Sequence, residues 1–204
     1  MGATKIMVIR HAEKPGYYNG PAYGGINATG AADPESLVTI GWERAGALVT
    51  LFAPPWGPRP PLAQPQYIYA ADPDPTDKDP SQRPYETVTA VAAKLGLKIN
   101  AKHQKKDYPE MVTEAITKDG VVLISWQHED IPLQNANGDP GISQCILNAT
   151  NTAGTLGVPT SWPKGADGVA RYDLVWLFNR PLGTGPITGF TQFAQMLLPG
   201  DAKA

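Results

Sequence analysis

Two histidines in this chain stand directly behind apolar runs. KIMVI, Lys5 to Ile9, leads into Arg10 and His11, and VVLISW, Val121 to Trp126, leads into Gln127 and His128. The chain has only 3 histidines, so this placement takes in two of them. A neutral imidazole is a competent nucleophile. A guanidinium is a planar fork that matches two phosphate oxygens at once. With Arg10 and, further on, Arg83, the chain holds a set suited to phosphoryl transfer. His11 would attack phosphorus, Arg10 and Arg83 would hold the equatorial oxygens, and His128 would donate to one of them. Positioning and electrostatics do most of the work in such reactions. Fixed guanidinium groups can then stand where other enzymes use a metal, so neither metal nor cofactor is expected. Taken singly, each of these residues is as readily solvated or structural; the shared placement is what points to a site.

The elements around them must bring the four together. Short continuous apolar runs such as Ile6 to Ile9 and Val121 to Trp126 suit strands buried on both faces. Gln66 to Ala71 and Tyr172 to Phe178 read as further strands, and Leu97 to Ala101 as a short one. Leu37 to Phe52 has helical spacing, with Thr39 as its cap and Pro54-Pro55 as its stop. A second helix is expected over Arg83 to Leu95, with Pro84 in the first turn and Ser81 or Gln82 near the cap. Pro109 to Lys118 and Phe190 to Leu198 read as helices, with a turn at Asp119-Gly120. The stretch from His128 to Gly168 reads as loop. Alternating strands and helices predict an α/β fold: a three-layer sandwich, with a largely parallel central sheet flanked by helices. In such sheets ligands bind at the carboxyl ends of the strands, where both histidines fall. A helix beginning at Arg83 adds free N–H groups there. No internal repeat is evident.

Bulk properties narrow the class. At 204 residues, one domain over 1–204 is expected. A net charge of −2 gives no sign of a nucleic-acid or membrane-surface partner. The start MGATKIMVI is too short for a secretory signal, and no apolar run reaches the ~20 residues that span a bilayer. A cytoplasmic location is the expectation. Cys145 is the only cysteine and reads as a small apolar filler. The proline-rich Ala53 to Pro65 reads as a rigid connector. Asp72, Asp74, Asp77 and Asp79 do not make an EF-hand, because the central glycine is missing and Arg83 stands in the glutamate position. His103, within KHQKKD, reads as a solvated residue.

RHAEKP, Arg10 to Pro15, resembles the RHG motif of the histidine phosphatase, or phosphoglycerate mutase-like, superfamily. TIGWERAGAL (Thr39 to Leu48) resembles that family's first helix. SQRPYETVTAVAAKLGL (Ser81 to Leu97) resembles the segment with its second arginine, and LISWQHEDIP (Leu123 to Pro132) the segment with its second histidine. The four blocks occur in the family's order over residues 5 to about 132, while the last third matches loosely. The resemblance implies a phosphoglycerate mutase-like sandwich and a phosphohistidine on His11. It implies Lys14 as a phosphate contact, where one branch has an arginine. It implies Glu129 as the proton donor, with Asp130, Asp107, Glu110 and Glu13 as alternatives. Ala12 replaces the family's glycine.

The leading expectation is a metal-independent phosphomonoesterase acting on a small phosphorylated substrate. A phosphomutase, a non-catalytic phosphate-binding module and, more remotely, a metallohydrolase are the rivals. The acidic loop DPDPTDKDP, Asp72 to Pro80, speaks against a highly charged substrate. The loops 16–30 and 133–168, with Tyr17, Tyr18, Tyr23 and Trp162, are expected to wall the pocket, or to pack as ordinary loops.

Overall fold

The apolar runs alternate in where their side chains go. Ile6 and Val8 join one apolar cluster, Met7 and Ile9 another on the opposite face of the same strand. Val122 and Ile124 follow the first pair, and Leu123 the second. Strands buried on both faces need a covering layer on each side, and the helices supply it. The computed structural model describes residues 1–16, 24–74, 76 and 80–203. Its elements in chain order are β1 (Ala3–Arg10), α1 (Thr39–Ala47), α2 (Val49–Phe52), β2 (Tyr67–Ala71), α3 (Arg83–Leu95) and β3 (Ile99–His103), then α4 (Tyr108–Ala115), β4 (Gly120–Trp126), α5 (Ile142–Ala149), β5 (Leu174–Asn179) and β6 (Gly189–Ala194). Helices α4 and α5 cover one face of the sheet, with Met111, Val112, Ile142 and Ile146 in its core. Phe52 from α2 and Val88 and Val91 from α3 cover the other.

The strand order is β3-β2-β4-β1-β5-β6. The first four run parallel, with Ile68 beside Ile99 and Leu123, and Arg10 beside Trp126. Strand β5 runs antiparallel to β1, and β6 antiparallel to β5. The sheet is therefore mixed, its parallel part β3-β2-β4-β1 extended by an antiparallel β5 and then β6. The short connection from Asn179 to Gly189 forces this, because a parallel pairing needs a crossover of a dozen or more residues.

Several local expectations are corrected. Phe190 to Leu198 is not a helix: Gly189–Ala194 is strand β6. Phe190 and Phe193 stand three apart, which imitates a helical stripe, but on a strand that spacing sends them to opposite faces. Phe190 packs edge-on to Trp176 at 5.4 Å, and Phe193 joins the core on the other face. The stretch expected as loop contains α5, whose buried Ile142, Ile146 and Leu147 have helical spacing. Thr39 is not a cap; Val38 holds that position, and its N–H donates to the Glu13 carbonyl at 3.1 Å. Helix α1 ends at Ala47, and α2 carries the chain to Phe52. Helix α3 has the expected bounds, with Gln82 at its cap and Pro84 in its first turn.

Three turns share one design that the sequence reading missed. Ile26 and Ala32, Gln134 and Pro140, and Lys164 and Ala170 each form an isolated antiparallel bridge. Their tips read NATG, NANG and GADG, and Gly30, Gly138 and Gly168 take φ of 86°, 88° and 77°. Only glycine adopts that conformation without cost. No helix among the described residues is long and apolar enough to cross a membrane.

One buried ion cluster ties the C-terminal segment and α1 to the segment that follows β1. Arg44 of α1 donates to Glu13 Oε1 at 2.8 Å and to Asp201 Oδ1 at 2.8 Å, with each side chain at most 4% exposed. Removing one partner from such a set strands buried charge. Arg44→Met is expected to lower the unfolding free energy by about 3–5 kcal/mol, read from urea denaturation. A loss below about 1 kcal/mol contradicts the assignment of Arg44 as the clamp.

Candidate functional site

Because β1, β4, β2 and β3 are parallel, their carboxyl ends meet at one edge of the sheet. Strand β1 delivers Arg10 and His11 there, β4 delivers Gln127 to Asp130, the segment after β2 delivers Arg83, and β3 delivers Lys105 and Lys106. A cleft of about 310 Å³ lies at this edge, lined by His11, Lys14, Arg83, Lys106, Glu129 and Asp130 among others. Arg10 and His128 are not among its lining residues; Arg10 precedes His11 and His128 precedes Glu129 in the chain.

His11 is held from several sides. Its backbone N–H donates to the Trp126 carbonyl at 2.9 Å, which extends the β1–β4 ladder past the last residue of β1. Its Nδ1 lies 2.7 Å from the Ala12 carbonyl oxygen. A carbonyl only accepts, so the proton sits on Nδ1 and the lone pair of Nε2 is left for chemistry. The Ala12 N–H donates to Thr87 Oγ1 at 2.8 Å, and that hydroxyl donates to the Arg83 carbonyl at 2.7 Å. The nucleophile candidate and the second arginine are thus joined through α3. The Tyr172 ring stands edge-on to the imidazole at 6.0 Å. Burial, then the charge of Arg10, pushes the imidazole well below its ordinary 6.5 against the Ala12 bond, with smaller help from Arg83 and Lys14. The ring is neutral at neutral pH.

Two glycine and carboxylate contacts fix the loop behind it. A Cβ on Gly41 would lie 2.5 Å from the Glu13 carbonyl oxygen, so the glycine of TIGWERAGAL lets α1 sit against the His11 loop. Glu86, buried in α3, accepts from Ser36 Oγ at 2.7 Å and from the Leu37 N–H at 2.9 Å, pinning the approach to α1.

The charges around His11 differ in role. The Arg10 guanidinium stacks over the Tyr172 ring at 3.6 Å and donates to the Ala170 carbonyl. Arg83 donates to the Pro34 carbonyl at 3.0 Å and pairs with Glu35 at 3.2 Å. Burial lowers the Lys14 ammonium below its ordinary value, and the Glu129 charge opposes this. His128 Nδ1 lies 3.0 Å from Glu129 Oε2, off the line of a well-formed hydrogen bond. Burial alone would raise the Glu129 carboxyl, but His128 and then Arg10 bring it down to about 2. A carboxylate that stays ionised to about pH 2 is a poor proton donor. Glu129 is better placed to orient His128.

Asp130 behaves in the opposite way. It is 2% exposed, and its Oδ2 has no hydrogen-bond partner among the described residues. Burial raises its carboxyl, Lys106 opposes, and the Glu129 charge adds to the rise. The remaining alternatives are set apart by position. Glu13 is committed to Arg44; Asp107 precedes α4, and its Oδ2 accepts from the Gln104 N–H at 3.2 Å; Glu110 is exposed on α4. Arg83 Nε and Gln127 Oε1 are also buried without hydrogen-bond partners among the described residues. Three cleft residues thus hold unsatisfied polar atoms, as expected of a site for a polar ligand.

Other residues fall elsewhere. Trp162 stacks on Trp176 at 4.8 Å and is core packing. Loop 133–168 contributes Asn135, Ala136 and Asn137 to the cleft. Tyr17, Tyr18 and Tyr23, and Asp77 and Asp79, lie outside the described residues. Asp72 and Asp74 do not line the cleft, whereas Lys105 and Lys106 do. Lys105 and Lys106 reach the cleft from the segment after the edge strand β3. His103 is not solvated: its Nε2 lies 3.1 Å from Glu114 Oε2, with the side chain 14% exposed. It ends β3 facing α4, where Glu114 also takes Tyr69, Asn100, Lys102 and Lys118. Cys145 packs against the core, and burial pushes its thiol up to about 11. Among the described residues no group of three or more His, Cys, Asp and Glu side chains is placed to hold a metal ion. No protein-family model matches the chain, and no curated protein does either.

The low His11 value is open to measurement. The imidazole C2 proton of His11 is expected to titrate with a midpoint below pH 6.5. Arg83→Gln removes a nearby positive charge and is expected to move that midpoint upward. A wild-type midpoint at or above 6.5 contradicts the burial and charge assigned to the ring.

Proposed function

We propose that the chain is a phosphomonoesterase of the histidine phosphatase, phosphoglycerate mutase-like, superfamily, working through a phosphohistidine on His11. The observation that carries this is the buried neutral imidazole, proton on Nδ1, set beside a cleft with Lys14 and Arg83 and backed by Arg10. In the first step Nε2 forms a bond to phosphorus and the bond to the ester oxygen breaks. The Asp130 carboxyl gives its proton to the departing alcohol oxygen. In the second step water attacks phosphorus, the Asp130 carboxylate takes a proton, and the P–N bond breaks to release phosphate. Arg83 and Lys14 hold the phosphoryl oxygens. Arg10 adds positive potential from behind His11, and His128, oriented by Glu129, donates to the developing charge.

A phosphomutase is the second reading, since Lys105 and Lys106 line the same cleft as His11 and Arg83. It would hand the phosphoryl group to a second hydroxyl in place of water. Release of free phosphate against transfer to an alcohol separates the two.

Activity assays test the reading directly. His11→Ala is expected to lose roughly 10³-fold or more of the hydrolysis of p-nitrophenyl phosphate. Equal slow hydrolysis by wild type and variant would favour a phosphate-binding module. Asp130 is tested by leaving group. Nitrophenolate departs without a proton, whereas an alkoxide does not. Asp130→Asn is expected to cost about 10²-fold on an alkyl phosphate and less than about threefold on the nitrophenyl ester.

The pH dependence follows in sign. His11 must be deprotonated and its value is lowered, so the acid limb of kcat/KM lies below 6.5. Asp130 must be protonated and its value is raised above 3.8, so activity falls as pH rises through that value. Asp130→Asn is expected to remove this alkaline limb for the alkyl ester. An alkaline limb unchanged in the variant assigns the proton to another group.

A further inference from the structure

Burial first, and then the Arg10 charge, lowers the His11 imidazole, while Arg83 and Lys14 add less. What Arg10 does to the ring depends on where its guanidinium stands, and a long flexible side chain keeps one place only against a fixed partner. Tyr172 is such a partner. Its ring centroid lies 3.6 Å from the guanidinium carbon, and the residue is 4% exposed. A cation over an aromatic face is drawn to the electron-rich centre of the ring, more strongly where water is excluded. The same ring stands edge-on to His11 at 6.0 Å, and the Lys14 backbone N–H interacts with its hydroxyl. The tyrosine is itself held from both sides in the chain. Strand β5 begins just after it and pairs with β1, Val175 opposite Ile9. Before it, the Arg171 carbonyl accepts from Trp162 Nε1 at 2.7 Å. The Arg171 guanidinium pairs with Asp173 at 2.7 Å, and the Asp173 carbonyl accepts from the Gln195 N–H at 2.8 Å. Arg10 also donates to the Ala170 carbonyl in the same segment. A ring on so fixed a backbone can orient what lies on its face.

We propose that Tyr172 is a positioning residue: by cation–π attraction its ring face holds the Arg10 guanidinium beside His11, and so sets the positive field in which the imidazole attacks phosphorus. The effect on attack rests on the phosphomonoesterase reading; the placement of Arg10 does not.

Fluorine withdraws electrons from an aromatic face and changes its shape little, so a graded series separates attraction from packing. Tyr172→Phe is the reference, and difluoro- and trifluorophenylalanine at the same position follow it. Along that series kcat/KM for p-nitrophenyl phosphate is expected to fall stepwise, by about fivefold in all. The His11 titration midpoint is expected to move upward in the same order, as the guanidinium is held less closely. In the Arg10→Gln background both trends are expected to vanish, because no cation then lies over the ring. A midpoint that stays constant along the series overturns the placement of Arg10 by Tyr172. So does a trend that survives Arg10→Gln, which would mean that the ring acts on His11 directly. A midpoint that moves while kcat/KM stays constant overturns the effect on attack. Absence of phosphate release from the wild type overturns the enzymatic reading, and the midpoint series then decides the placement by itself.

Discussion

The hydrogen bond between His11 Nδ1 and the Ala12 carbonyl sets the chemistry of the whole edge. It fixes where the ring proton sits, and so which nitrogen keeps its lone pair. It works only if the Ala12 peptide is itself immobile. Thr87, from α3, secures the peptide before it through the Ala12 N–H, and the Val38 N–H, at the start of α1, holds the next carbonyl, that of Glu13. Gly41 lets α1 approach closely enough for this, and Arg44 anchors the Glu13 side chain beneath it. A one-residue slip of β1 against β4 would break the His11–Trp126 ladder bond and turn the imidazole to the other face of the sheet. The sheet register and the tautomer of one ring are therefore a single constraint.

Three carboxyl groups lie within a short stretch of this ring in sequence or space, and the fold gives each a different fate. Glu13 is fully buried but bonded to a guanidinium, so it serves as an anchor. Glu129 is drawn down to about 2 by His128 and Arg10 and remains a fixed anion. Asp130, one residue on, turns into a buried position with Lys106 3.7 Å from one of its oxygens, and burial retains its proton to higher pH. Environments that separate the titration of neighbouring acids assign them separate jobs. In the proposed reaction they put orientation on Glu129 and proton transfer on Asp130.

Much of this was legible in the sequence, and the exceptions have physical causes. KIMVI and VVLISW announced buried parallel strands through continuous apolar residues, and parallel strands place Arg10-His11 and Gln127-His128 at one edge without further assumption. Pro84 fixed the start of α3, and with it Arg83. The choice between Glu129 and Asp130 was not legible, because burial and partner geometry decide it. Lys105 and Lys106 were equally hidden: their role depends on β3 pairing beside β2, a long-range fact. FTQFA misled because two phenylalanines three apart satisfy a helix stripe and also a strand whose two faces are both covered. α5 lay in a stretch rich in Gly, Asn and Pro, where Ile142, Ile146 and Leu147 were a faint stripe in a loop-like composition.

The account stands on a covalent bond between one imidazole nitrogen and phosphorus, and that bond can be caught. Wild-type protein mixed with ³²P-labelled phosphomonoester and quenched in alkali within the first turnover is expected to carry acid-labile label. Peptide mapping is expected to find that label on His11 alone. Release of phosphate at a normal rate with no label on His11, or with label on another residue, would contradict it.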